Sequence, residues 1–260
     1  MRLRENRAIQ PIMLRASNLK ICLPPDLVAA YYSTYFAEAY PFSLINKSDV
    51  VLDLGAGFGD FTLMASEKVG PQGKVVAVEP NPIAFSFLKR NVQLNHAENV
   101  SLIRGAVTGS SISPTFLKSD GHASALSADG DIQVKVLLFE NVVPTGVDVI
   151  KMDIEGTEQS IFDSCMKIIQ ECRCLFVETH TEEIRQGILR QLQSVGFQVD
   201  EWNTRKLVTR SLRNVIRHIG EFAEAEIKSR GYGLKAVSSM FHGTNSCNPR
   251  SGLRLLIATQ

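Results

Sequence analysis

Three glycines, Gly55, Gly57 and Gly59, stand at alternate positions immediately after the apolar run VVLDL at 50–54. Glycine adopts backbone conformations that other residues avoid and leaves room for a ligand beside the main chain. A turn of this kind between a strand and a helix can receive the pyrophosphate of a dinucleotide. The dinucleotide fingerprint G-x-G-x-x-G, however, would place its third glycine at Asp60, where an acid repels phosphate. A P-loop is excluded as well, since no G-K-[ST] follows.

The remaining pattern, D-x-G-x-G-x-G beginning at Asp53, favours S-adenosylmethionine, which carries an ammonium, a carboxylate and a sulfonium but no phosphate. Asp53 is expected to hold the ammonium, directly or through water. Glu79, at the end of the next predicted strand, is expected to accept hydrogen bonds from the two ribose hydroxyls. Dinucleotide-binding enzymes also have an acid at this position, so Glu79 alone does not distinguish S-adenosylmethionine from a dinucleotide. The spacing of the glycines does. The residues predicted to bind the cofactor are Asp53, Gly55, Ala56, Gly57, Phe58, Gly59, Glu79, Pro80, Asn81, Ala106 and Asp153.

A second acidic motif, KMDIEGTE at 151–158, follows another apolar run. Asp153 is expected to end a buried strand with its carboxylate toward the ligand crevice. Glu155 is expected in the turn before the next helix. Glu158 lies at the predicted start of that helix, where an acid can simply complement the helix dipole.

S-adenosylmethionine is a methyl donor, and if its acceptor is an alcohol, the transfer gains from a general base, typically by about 10²–10⁴-fold. The predicted catalytic residues are Asp153, Glu155 and His180, because His180 follows the strand LFVET and reaches the same crevice. His122, in the loop SDGHASAL, is a further candidate base. The two carboxylates and His180 could also hold a divalent cation, but without a tighter constellation we expect no metal.

The elements that must position these residues alternate between strand and helix. Valine-rich runs and helical spacing predict strands at 50–54, 74–79, 100–106, 147–153, 172–178, 196–202 and 253–259, and helices at 60–69, 81–95, 157–170 and 181–195. This order predicts an α/β fold with a doubly wound, mostly parallel, seven-stranded sheet covered on both faces. The last strand is expected to be antiparallel, at or near an edge. Ligands of such sheets bind beyond the carboxyl ends of the strands.

Three segments lie outside this alternation. One of them, 107–146, is polar and rich in glycine and serine before the apolar run VKVLLF. Residues 1–48 are predicted to form an N-terminal extension that packs on the core, with a helix after Pro24 and Pro25. Residues 49–260 are predicted to form the methyltransferase domain, including an insertion at 203–250 whose apolar residues follow helical spacing. The insertion is expected to serve as a lid, a substrate element or a dimer face.

The motifs together resemble those of the FkbM-type class I methyltransferases. The resemblance lies in DLGAGFGDFT, VVAVEPNPIAFSFLKRNVQLN, VDVIKMDIEGTE and LFVETH, and covers roughly residues 40–200. Its most specific element is KMDIEGTE at 151–158, which matches the K-x-D-x-E-G-x-E of that family. The resemblance implies a Rossmann-like fold, S-adenosylmethionine as cofactor, and O-methylation of a hydroxyl on a small molecule, sugar or polyketide. It does not extend to the insertion at 203–250 and leaves the acceptor undefined.

A basic segment favours a different acceptor class. The stretch WNTRKLVTRSLRNVIRH at 202–218 contains arginines and a lysine but no acid, and with Trp202 it suits contact with RNA. The fourth predicted strand ends in MDIE instead of [DNS]-P-P-[YF], which argues against methylation of an exocyclic base amine. An RNA methyltransferase acting on ribose or carbon is therefore an alternative, and a non-catalytic cofactor-binding regulator is another.

Composition constrains function only in general terms. The 260 residues carry a net charge of +1, so no general attraction to nucleic acid or acidic membranes follows. Five cysteines without a CxxC pair indicate reduced thiols and a cytoplasmic protein. No apolar stretch is long enough for a signal peptide or a membrane span. A homodimer is compatible with the sequence.

Overall fold

A seven-stranded sheet organises the structure, a computed structural model that describes residues 10–36, 38–110, 115–119, 124–127, 130, 132–202, 216, 218–229 and 254–260. Including the strands of three smaller sheets, the described residues form fourteen strands. In chain order these are β1 (Ile12–Ala16), β2 (Leu19–Leu23), β3 (Val50–Leu54), β4 (Lys74–Glu79), β5 (Val100–Arg104), β6 (Ala106–Thr108), β7 (Thr115–Ser119), β8 (Ser124–Ser127), β9 (Ile132–Val134), β10 (Val136–Leu138), β11 (Val149–Met152), β12 (Cys174–Thr179), β13 (Gln198–Trp202) and β14 (Arg254–Thr259). The α-helices are α1 (Val28–Tyr35), α2 (Asp60–Val69), α3 (Pro82–Leu94), α4 (Phe139–Val142), α5 (Glu158–Ile169), α6 (Glu182–Ser194) and α7 (Ile219–Lys228). Short 3₁₀ helices lie at Pro25–Leu27 and Phe42–Leu44.

The strand order across the central sheet is β13-β14-β12-β11-β3-β4-β5. The pairs from β12 to β5 are parallel, whereas β14 runs antiparallel to both β12 and β13. The predicted doubly wound, mostly parallel, seven-stranded sheet is therefore confirmed, with its last strand one position in from an edge. The chain winds outward in opposite directions from β3 and β11, and a crevice opens at such a reversal. The glycine-rich turn and the second acidic motif both follow strands at this point.

Side chains alternate between the two faces of the sheet and build an apolar core on each. The face toward α5 and α6 carries Leu52 and Ile150, among other buried aliphatic residues. The opposite face carries Val51 and Phe176, which pack with Phe61 of α2. Both faces are covered, so the carboxyl ends of the central strands are held in place for the site.

The N-terminal segment packs on the first half of the sheet through a hairpin and a helix. Strands β1 and β2 pair antiparallel, and Asn91 of α3 forms hydrogen bonds with the main chain of Cys22 in β2. Tyr31 and Tyr32 of α1 are buried in one cluster with Phe58 of the glycine-rich turn. The helix expected after the two prolines is present as α1.

Short strands fill the region 107–146, where the sequence showed no simple alternation. Strand β10 pairs in parallel with β6. Strands β7, β8 and β9 form a separate antiparallel sheet. These strands have three to five residues each, and such short pieces depend on their partners for stability.

Only part of the insertion at 203–250 belongs to the described residues. Within it, the ring of Phe222 on α7 packs edge-on against the rings of Tyr32 and Phe36. His122 and the arginines and lysine of the basic segment lie outside the described residues. Across the residues that are described, no helix combines the length and the apolar character needed to cross a membrane.

Candidate active site

The glycine-rich turn between β3 and α2 has a left-handed backbone at each of its three glycines. The φ angle is +76° at Gly55, +54° at Gly57 and +93° at Gly59, a region that suits glycine best. A Cβ atom on Gly55 would lie 1.8 Å from the carbonyl oxygen of Asp153, whereas one on Gly57 would meet nothing within 4 Å. The turn is therefore tightly packed against β11 at Gly55 and open at Gly57, where a ligand can approach the main chain.

Lys151 holds this turn from the neighbouring strand β11. Its Nζ donates hydrogen bonds of 2.7 Å to the carbonyl oxygen of Gly55 and 3.3 Å to that of Leu54. It also forms an ion pair of 3.3 Å with Asp53, its register partner on β3. Burial alone would lower the pKa of Lys151, but Asp53 and Asp153 outweigh this effect and raise it. The buried lysine therefore stays charged and fixes the turn.

Asp53 lies beneath the turn and outside the crevice. Its side chain has no exposed surface, and its Oδ2 accepts a hydrogen bond of 2.5 Å from the hydroxyl of Thr62 in α2. Its Oδ1 faces Lys151. A direct contact with a ligand ammonium, one of the two roles that we expected for Asp53, is not available in this arrangement because both oxygens are buried. The structure instead gives Asp53 a contact with the lysine that holds the turn.

Glu79 ends β4 beside the open part of the turn. Its Oε2 accepts a hydrogen bond of 2.7 Å from the N–H of Gly57, and its Oε1 accepts one of 2.7 Å from the N–H of Asn81. Burial raises the pKa of Glu79 to about 7, although both N–H groups favour the charged form. A carboxylate can accept about four hydrogen bonds, so acceptor capacity remains beyond these two main-chain bonds.

The other residues predicted to bind the cofactor lie along the same edge of the sheet. Pro80 and Asn81 connect β4 to α3, and the Asn81 side chain caps the first turn of that helix. Ala106 is buried at the start of β6, directly after a glycine whose N–H donates to the carbonyl oxygen of Glu79. Ala56 and Phe58 point their side chains into apolar clusters, so only their main chain can face a ligand.

Three acidic side chains of the second motif surround His180, which follows β12. Its Nε2 lies 3.2 Å from Oε2 of Glu155 and 3.6 Å from Oδ1 of Asp153, and its Nδ1 lies 3.3 Å from Oε1 of Glu158. Burial lowers the pKa of His180, but the three carboxylates outweigh this effect and raise the pKa to about 9. His180 is therefore mainly a cation at neutral pH and has no free proton-accepting nitrogen in that state.

Glu158 orients this cluster from the first turn of α5. Its side chain is fully buried, and its carboxylate accepts hydrogen bonds from the N–H groups of Gly156 (2.9 Å) and Ile154 (3.3 Å). Burial alone would raise its pKa, but His180 and the main-chain donors hold the pKa below its usual value. Glu155 has a φ of +56°, which is unusual for a residue other than glycine. The motif thus forms a constrained turn that brings Glu155 to His180.

Sequence reasoning missed two charged residues of the crevice, Lys151 and Glu178. The hydroxyl of Tyr40 donates a hydrogen bond of 3.4 Å to Oε2 of Glu178 near the end of β12. Burial, together with the charge of Asp153, raises the pKa of Glu178 to about 8. Two features of the sequence could have identified them: a lysine within the apolar run VDVIKMD and a glutamate at the end of LFVE. A charged residue in a buried strand needs a partner, so each feature indicates a paired charge.

The crevice at the carboxyl ends of β3, β4, β11 and β12 therefore has two sides. One side offers open main chain and the Glu79 carboxylate. The other offers Asp153, Glu155 and His180, whose side chains are 25–30% exposed and whose ligating atoms all lie within 4.8 Å of one another. Such a crevice can hold one molecule against the turn and present polar groups to a second, and its acidic side has the residue types that bind cations.

Several known proteins are similar in sequence to parts of this chain. The arsenite methyltransferase of Halobacterium salinarum is 38% identical over 66 residues, which are 25% of this chain and 17% of that protein. The hexuronic acid methyltransferase AglP of Haloferax volcanii is 26% identical over 141 residues, 52% of this chain and 57% of that protein. Archaeal tRNA-modifying enzymes are among the further relatives. The chain thus matches only part of the length of these proteins.

Among solved structures, TYW2 of P. horikoshii in complex with MeSAdo superposes with a TM-score of 0.50 at 14% sequence identity. The superposition covers 98% of this chain and 72% of that chain, and it shows a shared fold. The methyltransferase FkbM domain matches residues 53–202, more than half of the 260 residues. The matched range holds the glycine-rich turn, Glu79, the second acidic motif and His180, and by this match the chain belongs to the FkbM methyltransferase family.

Proposed function

We propose that this chain is an S-adenosylmethionine-dependent methyltransferase that acts on a hydroxyl oxygen of a small molecule or sugar. The observation that carries the proposal is the joint position of Glu79 and the open main chain of Gly57 at the carboxyl ends of β4 and β3. Family membership through residues 53–202 supports the reaction class. The similarity to a hexuronic acid methyltransferase supports a sugar-type acceptor.

The residues around the turn suit a sulfonium nucleoside better than a pyrophosphate. Glu79 has acceptor capacity for the hydroxyl donors of a ribose, and Gly57 leaves room for a ligand. Asp60 follows the turn directly, at the position where a dinucleotide site would place its third glycine. Its carboxylate accepts a hydrogen bond from the hydroxyl of Thr34, and a negative group there disfavours bound phosphate.

Bound S-adenosylmethionine supplies an activated methyl group, so the protein has mainly to align the partners. Lys151 and Asp53 keep the turn in one conformation, and Glu79 fixes the ribose against it. Correct positioning can contribute about 7–11 kcal/mol to such a reaction in favourable cases. The other side of the crevice then has to hold the acceptor in line.

Asp153 and Glu155 are the proton acceptors on that side, with His180 as the residue that positions them. His180 is mainly protonated at neutral pH because three carboxylates surround it, whereas the Asp153 and Glu155 side chains are 27% and 30% exposed. As the acceptor oxygen bonds to the methyl carbon, the hydroxyl proton passes to one of these carboxylates and the sulfur keeps the electrons of the broken S–C bond.

An RNA acceptor has less support from the described residues. Trp202, which seemed suited to contact RNA beside the basic segment, is buried and donates its indole N–H to Asp200 over 2.7 Å. A buried indole cannot stack on an RNA base. The rest of the basic segment, 203–218, lies outside the described residues except for residues 216 and 218.

A transfer assay with methyl-labelled S-adenosylmethionine tests the acceptor class. Wild type is expected to label hydroxylated small molecules, with uronic acids in the panel, at a rate that depends little on salt. Labelling of total tRNA that falls steeply with salt would instead identify an RNA methyltransferase, because phosphate contacts release counterions. Cofactor binding without labelling of any acceptor would indicate a regulator. Glu155→Gln is expected to lose transfer while still binding the cofactor.

A further inference from the structure

The metal-ligating atoms of Asp153, Glu155 and His180 converge in the crevice. All three lie within 4.8 Å of one another, and Nε2 of His180 lies 3.2 Å from the Glu155 oxygen and 3.6 Å from the Asp153 oxygen. Neighbouring ligands of an octahedral ion with bonds of about 2.1 Å are separated by about 3 Å. Small side-chain movements would therefore place all three atoms around a single ion.

The imidazole of His180 is oriented by a residue outside this trio. Its Nδ1 faces the fully buried carboxylate of Glu158 at 3.3 Å, and main-chain N–H groups fix Glu158 in turn. Metal-binding histidines usually direct their second ring nitrogen to a carboxylate, which sets the ring orientation and raises its basicity. Here that arrangement directs Nε2 toward the two partly exposed carboxylates, where a cation would lie.

The charge balance of the crevice also favours a cation. Three carboxylates of the motif, Asp153, Glu155 and Glu158, contact two cationic groups among the described residues, His180 and Lys151. Lys151 is committed to Asp53 and to the carbonyl oxygen of Gly55. A divalent ion that replaced the proton on His180 Nε2 would add positive charge between the Asp153 and Glu155 carboxylates.

We propose that Asp153, Glu155 and His180 bind one divalent cation of the Mn²⁺ or Mg²⁺ class, and that the acceptor reaches it through two adjacent oxygens. This inference rests on the methyltransferase function proposed above. Three protein ligands leave about three positions of an octahedron, which suit a vicinal diol or a hydroxy acid together with a water. With the ion bound, Asp153 and Glu155 would serve as its ligands, and the coordinated hydroxyl, whose pKa the ion would lower, would give its proton to water. Without the ion, these carboxylates accept that proton. Mn²⁺ is the better probe because its unpaired electrons report binding directly and carboxylate oxygens are among its preferred ligands.

Electron paramagnetic resonance of Mn²⁺ titrated into the full chain tests the site without the cofactor. Wild type is expected to bind one ion per chain. Asp153→Asn and Glu155→Gln each remove one ligand and are expected to weaken binding at least about tenfold, as loss of even a supporting residue does. Glu158→Gln keeps all three ligands and is expected to weaken binding by about 10–100-fold. Glu183→Gln removes an exposed carboxylate from the first turn of α6 and is the matched control.

Two outcomes would overturn the site: no stoichiometric Mn²⁺ binding to wild type, or equal binding by wild type and the ligand variants. If a variant fails to fold by circular dichroism, calorimetry of wild type in buffers of different ionisation enthalpy replaces it. At pH 5.5, where even an ordinary imidazole is mainly protonated, that experiment is expected to show about one proton released per ion, since a ligating imidazole must lose its proton; no release would contradict the site. Calorimetry with S-adenosylmethionine in the presence of EDTA tests the cofactor separately, so failure of the cation site leaves that result standing.

Discussion

Lys151 donates a hydrogen bond of 2.7 Å to the carbonyl oxygen of Gly55, and so joins the two motifs from strands β11 and β3. The same ammonium pairs with Asp53 beneath the turn. The lysine of KMDIEGTE is thus a structural support for DLGAGFG, and both motifs depend on one buried ion pair. The shape of the turn and the chemistry of the crevice should therefore respond together when this pair is broken.

Lys151→Met is expected to lower the free energy of unfolding by about 3–5 kcal/mol, because it leaves Asp53 buried without its counterion. Urea denaturation measures this loss. The double variant Lys151→Met, Asp53→Asn is expected to recover part of the stability, since the uncompensated charge is gone. Lys167→Met, at an exposed lysine in the last turn of α5, is the matched control and should change stability by at most about 0.5 kcal/mol. A loss no larger in Lys151→Met than in Lys167→Met would show that the pair is dispensable.

Gly55→Ala and Gly57→Ala are expected to separate stability from ligand binding. A Cβ at Gly55 would lie 1.8 Å from the carbonyl oxygen of Asp153, so Gly55→Ala should displace β11 or prevent folding. A Cβ at Gly57 meets nothing within 4 Å, so only its φ of +54° opposes alanine, at a cost of about 1–2 kcal/mol. Gly57→Ala should therefore fold. Its added methyl group would occupy the space beside the main chain that S-adenosylmethionine needs, so cofactor binding should weaken. Thermal unfolding and calorimetry together measure both effects, and normal cofactor binding by Gly57→Ala would place the ligand elsewhere.

Asn91→Leu is expected to weaken the attachment of the N-terminal hairpin. The buried amide of Asn91 donates to the carbonyl oxygens of Cys22 and Phe58 and accepts from the N–H of Cys22. Each buried main-chain group left without a partner costs about 1–3 kcal/mol. Asn95→Leu removes a similar pair of bonds to Lys20 at a more exposed position, where water can replace the lost partner. Chemical denaturation should show a clearly larger loss for Asn91→Leu, and equal losses would contradict the buried role of Asn91.

Stability is expected to fall at alkaline pH through His180. Its pKa is raised from 6.5 to about 9 in the folded chain, so its contribution is complete below pH 6.5 and is lost as the pH rises through 9. A shift of this size corresponds to roughly 3 kcal/mol. His180→Gln should therefore destabilise the protein at pH 6.5 and differ little from wild type above pH 9. Urea denaturation at a series of pH values in EDTA measures the difference, with His96→Gln, at an exposed histidine, as control. A constant difference across this pH range would show that His180 is not held by its carboxylates.

Much of the sheet could be predicted because its strands are continuous apolar runs bounded by turn residues. Strands β3 and β4 begin and end where VVLDL and KVVAVE do. The short strands from β6 to β10 could not be predicted in this way, since pieces of three to five residues are specified by their partners and not by local periodicity. The helical spacing across the insertion predicted one apolar face, yet Ile219 and Ile227 of α7 are 66% and 79% exposed. The buried side of α7 is set by the aromatic rings of α1 that contact Phe222.

The candidate site was predictable in its composition but less so in its contacts. Asp153, Glu155 and His180 were expected in one crevice from their positions after neighbouring strands, and they do lie together. The pairing of Asp53 with Lys151 depends on the register between β3 and β11, which a single sequence does not contain. The charge state of His180 likewise depends on three carboxylates that meet only in the folded chain.

Calorimetric titration of S-adenosylmethionine into wild type and Glu79→Ala tests the central claim most directly. Wild type is expected to bind one molecule per chain. Glu79→Ala removes the carboxylate beside the open turn and is expected to weaken binding by about tenfold or more, as loss of a charged hydrogen-bond partner costs about 1.5–3 kcal/mol. Glu98→Ala, at an exposed glutamate on the opposite end of β5, should leave binding unchanged. Equal affinities for wild type and Glu79→Ala, or no binding by wild type, would contradict the assignment of this crevice as the cofactor site.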